Sequence, residues 1–185
     1  MHLEMLWSSQ AGTTVLQPNT QETLAAYTSI TGFNPADPNS DQGANEETVL
    51  QWWYKNSFGV GKPILGFMSI DPTNLSHIKS AIQIFGGVYA GIQVPNNAQD
   101  QFQQGLPWSG PANGIEGGHA IPLVAYDPTY VTCITWGAKQ KMDYTWLGQN
   151  LEECYVVVSP DWLNAHDSAP SGFNLTQLWT DLHQL

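Results

Sequence analysis

Two short apolar runs wrapped around a turn constrain this chain more than anything else in it. His119–Tyr126 and Tyr130–Trp136 flank Asp127-Pro128-Thr129, and that turn chemistry between β-like runs predicts an antiparallel hairpin. In the second run Val131, Cys133 and Thr135 alternate with Thr132, Ile134 and Trp136, the period of a strand with two distinct faces. A hairpin of this kind returns Trp136 to the neighbourhood of His119. Immediately before the histidine stand Gly117 and Gly118, which let the backbone bend sharply and let another chain approach closely. A histidine at the entrance of a strand is held by the sheet and can still reach a cleft.

The upstream signals are mostly helical. Leu3, Leu6 and Trp7 fall on one helical face, as do Leu24, Tyr27 and Ile30 in a helix predicted over Gln21–Ile30 with Thr20 as its cap. Asn45, followed by Glu46 and Glu47, opens another, with Val49, Trp52 and Trp53 as its inner face and an end near Gly59. Ile64–Ile70 reads as a strand. Thr73 or Asn74 starts a helix carrying Ile78, Ala81, Ile82 and Phe85, which Gly86-Gly87 closes.

Val88–Val94 reads as a buried strand, 95–118 as a long loop, and Asp143–Gln149 as one helical turn or a short strand. Cys154–Val158 is a further strand. Residues 174–183 form a terminal helix with Leu175, Leu178, Trp179 and Leu182 on one face. Helices first and an antiparallel sheet afterwards predict an α+β fold. The expected organisation is one domain over 1–185: a mainly helical part to residue 86, a β part over 87–160 and a helical tail.

Charge limits the partners. Sixteen acids stand against five lysines and no arginine, a net charge of −11. No basic stripe exists to follow phosphates, which argues against nucleic acid and against docking on anionic lipid. No apolar run approaches the roughly 18 residues of a membrane span. Met1–Trp7 does not read as a signal peptide, because it has no basic flank and Glu4 interrupts it. Compartment and oligomeric state are left open. Cys133 and Cys154 match no zinc motif and lie in apolar runs, so each reads as a buried thiol, with a single bridge between neighbouring strands left open. No metal or cofactor is expected.

Taken in order, Gly117-Gly118-His119-Ala120, Tyr126-Asp127, Trp136-Gly137 and Tyr155-Val156-Val157-Val158 resemble the C-terminal half of papain-like cysteine peptidases. The likeness covers residues 117–160 and is greatest to small bacterial or phage members. It implies a papain-like fold, with N-terminal helices against a C-terminal antiparallel sheet or half-barrel. It also implies hydrolysis of peptide or amide bonds by a thiolate, with a histidine as general base, a polar residue orienting the imidazole and a tryptophan shielding that contact.

Carried over residue by residue, His119 is the base and Trp136 the shield. The family's orienting residue is usually Asn or Asp near the Trp-Gly pair; here Ile134 and Thr135 stand there, and only Thr135 has a polar side chain. Trp108, Glu116, Gly117 and Gly118 are candidate substrate contacts. The family's cysteine lies upstream of the histidine at the start of a helix, and no cysteine precedes His119. The uncapped start at His2 reads as the back end of that helix, which would place the thiol about ten residues before Met1, or about 15 Å along a helix. Extended backwards, that helix is then expected to pass near His119. The chain as it stands is expected to be inactive, either because the reading frame starts too late or because the nucleophile has been lost, which would make it a pseudoenzyme. The alternative is a papain-like scaffold that binds a peptide or glycan without catalysis, as a phage or surface component. An unrelated acidic α+β domain is the third possibility.

Overall fold

The protein is described here by a computed structural model covering residues 1–184, with Leu182 defined by its backbone alone. The place expected for the Leu182 side chain on the terminal helix, and Leu185 itself, lie outside the described residues. The fold is α+β. Among the described residues are seven α-helices and a six-stranded sheet of order β1-β6-β2-β3-β4-β5. The chain divides into two compact units, Met1–Phe67 with Val157–Leu185, and Met68–Val156.

The first unit holds α1 (His2–Gln10), α2 (Thr20–Thr31) and α3 (Glu46–Lys55), with α7 (Leu175–Leu182) from the far end of the chain. The cap of α2 is Asn19 rather than Thr20: its side chain accepts from the Glu22 N–H while the Glu22 carboxylate accepts from the Asn19 N–H. This reciprocal pair satisfies two otherwise orphaned donors and starts the helix one residue early. In α3 the buried residues are Leu50 and Trp53, with Glu46 at its start, and Trp53 stacks on Trp7 of α1 at 6.0 Å. Val49 and Trp52 are only half-buried.

Glu4 of α1 is fully buried; its Oε2 stands 3.5 Å from the Met1 ammonium, and no other described residue partners its carboxylate. A Cβ at Gly61 would lie 2.0 Å from Glu4 Oε1, so only glycine fits beside it. Burial pushes the Glu4 carboxyl up to about 7, against the pull of the Met1 ammonium.

The second unit carries most of the sheet and one continuous core. Strand β2 (Val88–Pro95) lies between β3 (Ile115–Tyr126) and β6 (Leu151–Val158), antiparallel to both. Strands β3 and β4 (Tyr130–Thr135) form the expected hairpin, with Asp127 Oδ1 accepting from the Thr129 and Tyr130 N–H groups. Strand β5 (Ala138–Asp143) pairs with β4 along its whole length, and β1 (Gly66–Ile70) closes the other side of the sheet. The face of α4 (Leu75–Phe85) that carries Ile78, Ala81 and Ile82 joins Ile92, Ile121, Leu123, Trp146 and Leu147 in the core. Helix α6 (Tyr144–Asn150) settles 143–149 as helical.

The segment 95–118 is more ordered than a loop. It contains α5 (Ala98–Gln103), and β3 begins at Ile115, where Val94 and Gln93 pair with Gly117 and Gly118. Asn74 and Asn174, which stand in glycosylation-like triplets, cap α4 and α7 with their side chains. No described helix is long and apolar enough to cross a membrane.

Candidate active site

His119 sits on β3 opposite Ile92 of β2. Its Nε2 lies 2.8 Å from Thr135 Oγ1, in hydrogen-bond contact. Thr135 ends β4, is 2% exposed and pairs with Ala138 across the turn. Between them Trp136 and Gly137 both have positive φ, 45° and 79°. Two left-handed residues make this a two-residue hairpin of the type I′ family, whose twist matches the flanking strands. Glycine tolerates that conformation; tryptophan pays roughly 1–2 kcal/mol for it.

What the strained residue gains is contact. The Trp136 indole lies nearly parallel to the His119 ring, 5.6 Å away at 16°, and packs edge-on against Phe102 at 5.0 Å and Trp108 at 5.7 Å. The indole therefore lies over the imidazole that bonds Thr135.

His119 is half-buried, and desolvation holds its pKa below the usual imidazole value. At neutral pH the ring is therefore uncharged, with one nitrogen donating and the other accepting. If Nε2–H donates to Thr135, Nδ1 keeps the free lone pair. No hydrogen bond from a described residue occupies Nδ1.

The ring opens on a cleft of about 240 Å³ walled by Gln99, Glu116, Gly117, Gly118 and Trp136, with Val94 at its base. A second groove, of about 200 Å³, runs past Gln99, Phe102, Gln103 and the same Trp136. A β-bulge between Val94 and Pro95 lies beside the cleft, a placement common at sites. Cβ atoms built on Gly117 or Gly118 would touch nothing within 4 Å, so the strand presents bare backbone there.

Trp108 requires a correction. It is fully buried, its Nε1–H donates to the Ala98 carbonyl at 2.9 Å, and it stacks on Trp146 at 4.8 Å. Its backbone bridges to Met142 by exchanging bonds with Lys141 and Asp143. It pins the loop to the edge of β5 and supports Trp136 from behind, so it has no surface with which to touch a ligand. Gln99, Val94 and Phe102 take its place on the walls. Phe102 is the one aromatic in the glutamine-rich run 99–104, and that contrast was the available signal for it.

Neither cysteine is placed for nucleophilic work. Cys133 and Cys154 are free and buried, and burial pushes both thiols up to about 12. The Cys154 Sγ–H is aimed at the Ile70 carbonyl. Among the described residues no group of three or more His, Cys, Asp or Glu side chains gathers as a metal site. No protein-family model matches the chain, and no curated protein matches it at a significant level.

Proposed function

We propose that this chain is the base-bearing part of a papain-like cysteine hydrolase for peptide or amide bonds. The observation that carries the reading is the trio of His119, Thr135 and Trp136: an imidazole on an open cleft, one nitrogen tied to a buried hydroxyl at 2.8 Å, and an indole stacked over it. In this reading Nε2–H donates to Thr135, which fixes the tautomer and the ring angle. Nδ1 takes the proton of a thiol, and the thiolate attacks the substrate carbonyl. The imidazolium returns that proton to the leaving amine, and water then releases the acyl group. Thr135 is a neutral partner, so it orients the ring without adding a negative charge to stabilise the imidazolium.

The thiol itself is not Cys133 or Cys154, both of which are buried and protonated. The 185 residues alone are therefore expected to cleave nothing by thiol chemistry. If no other thiol serves His119, the same cleft is a binding site on a catalytically silent scaffold. That second reading draws on the inertness of both cysteines.

The test starts from the coding DNA. In-frame codons before Met1 are read for a cysteine about ten positions back, and the protein is expressed from the earlier start. Iodoacetamide should then alkylate that cysteine rapidly at pH 6, and His119→Ala should slow the reaction at least about tenfold, because a free thiol is scarcely ionised there. An upstream stop codon, or a cysteine that labels like an ordinary thiol, sinks the hydrolase and leaves the scaffold.

A further inference from the structure

We propose that the cleft beside His119 takes a peptide bearing a lysine-like cationic side chain, its ammonium on Glu116 and its aliphatic stem along Trp136 and Phe102. The proposal rests on reading this cleft as a peptide site and specifies the side chain it selects.

Among the described residues Glu116 is the only charged one in the cleft wall, and none of its lining residues is a lysine. Its Oε1 accepts a long bond, 3.4 Å, from Gln99 Nε2, which leaves most of the carboxylate's acceptor positions open. His119 is held neutral by burial, so it neither cancels that charge nor repels a cation at neutral pH. The chain's net charge of −11 adds a field of the same sign, which draws cations and disfavours anions.

The second half of the recognition is aromatic. Trp136 is 40% exposed and meets Phe102 edge-on at 5.0 Å. The cleft and the adjoining groove share Gln99 and Trp136, so the carboxylate and the aromatic wall flank the same two side chains. A lysine stem lies on apolar surface while its head stays polar, and an indole face attracts the cation. The bare backbone at Gly117 and Gly118 leaves room for the main chain of such a peptide.

The experiment titrates the 185-residue protein with acetyl-Ala-Lys-Ala-amide and, separately, with the norleucine peptide of the same length, followed by amide and indole NMR signals. The lysine peptide should bind about three- to fivefold more tightly, the worth of a good exposed ion pair, and should move the Trp136 indole and the Gly117 and Gly118 amides. Glu116→Gln, at an exposed position, should bring the two peptides within about twofold.

Equal affinities, a preference that survives Glu116→Gln, shifts confined to other surfaces, or binding of neither peptide would overturn the proposal. So would binding of an N-acetylglucosamine oligomer in place of both. No thiol or turnover enters the measurement. Lysine-selective binding together with an ordinary upstream thiol would therefore keep this inference while the hydrolase falls.

Discussion

Trp136→Asn sets two effects against each other at one residue. Asparagine followed by glycine is the favoured pair for a type I′ hairpin, so the substitution relieves about 1 kcal/mol of left-handed strain at φ 45°. Against this stands the lost contact. A tryptophan offers up to about 250 Å² for burial, and with Trp136 40% exposed about 150 Å² of that is covered. At about 25 cal/mol per Å² the covered surface contributes about 4 kcal/mol. Asparagine retains about 1 kcal/mol of it, which leaves a net loss of about 2 kcal/mol in spite of the better turn. The His119 ring also loses its cover, so its pKa should climb back toward the ordinary imidazole value. Urea unfolding followed by circular dichroism reads the first effect, and a proton–nitrogen NMR titration of His119 reads the second. A variant as stable as the parent, or more so, would show that the indole contributes little to the packing. An unmoved His119 titration would show that the indole does not govern the ring's solvation.

Three further outcomes are expected. Thr135→Val keeps the buried shape but removes the partner of His119 Nε2; it should cost about 1–2 kcal/mol and disturb the imidazole tautomer, which nitrogen chemical shifts report. Glu4→Gln should stabilise the protein at high pH: a carboxyl raised from 4.5 to about 7 binds its proton more tightly when folded, so stability is lost as pH rises through that window, by up to about 3 kcal/mol. Unfolding at pH 5 and pH 8 should therefore show parent and variant converging at the lower pH. Cys133 and Cys154, both with thiols near 12, should resist iodoacetamide at neutral pH; rapid labelling abolished by His119→Ala would contradict the site as drawn.

The hairpin was legible because its information is local. Asp127-Pro128-Thr129 and the alternation after Tyr130 determine which residues come back to His119: Thr135 does so at the end of β4, and Trp136 opens the two-residue turn into β5. Strand β5 was not legible for the opposite reason. Its two buried positions are Gln140 and Met142, and Gln140 is tolerated inside only because its Nε2 donates to the Leu106 and Lys141 carbonyls. A polar residue at an inward position erases the alternation that marks a strand, and one of its two acceptors, the Leu106 carbonyl, lies 34 residues away. Ile115–Gly118 failed similarly: glycine disfavours strands by propensity, yet here the backbone ladder to β2 sets the conformation.

Trp108 shows how the hidden part of the sequence serves the visible part. A tryptophan on a glycine- and proline-rich loop suggests a ligand contact, because nothing nearby in sequence offers to bury it. Its cover comes from Trp146, Met142 and the carbonyl of Ala98, partners that only the closed sheet assembles. Buried there, Trp108 presents its ring to Trp136 at 5.7 Å and fixes its loop through bonds to Ala98, Lys141 and Asp143. The strain at Trp136 is thus held by packing on two sides, Phe102 and Trp108, with the His119 ring on a third. Strained backbone persists where surrounding structure over-determines it, and here three aromatic contacts do so. Shortening Trp108 to leucine should therefore act at a distance. The hydrogen bond to Ala98 and the stack on Trp146 vanish, which costs about 3 kcal/mol as a large-to-small core change. Trp136 also loses one of its supports, so its indole signal should broaden and His119 should titrate nearer its ordinary value. A Trp108→Leu protein that is destabilised yet keeps the parent's His119 titration would separate the core from the site and refute this coupling.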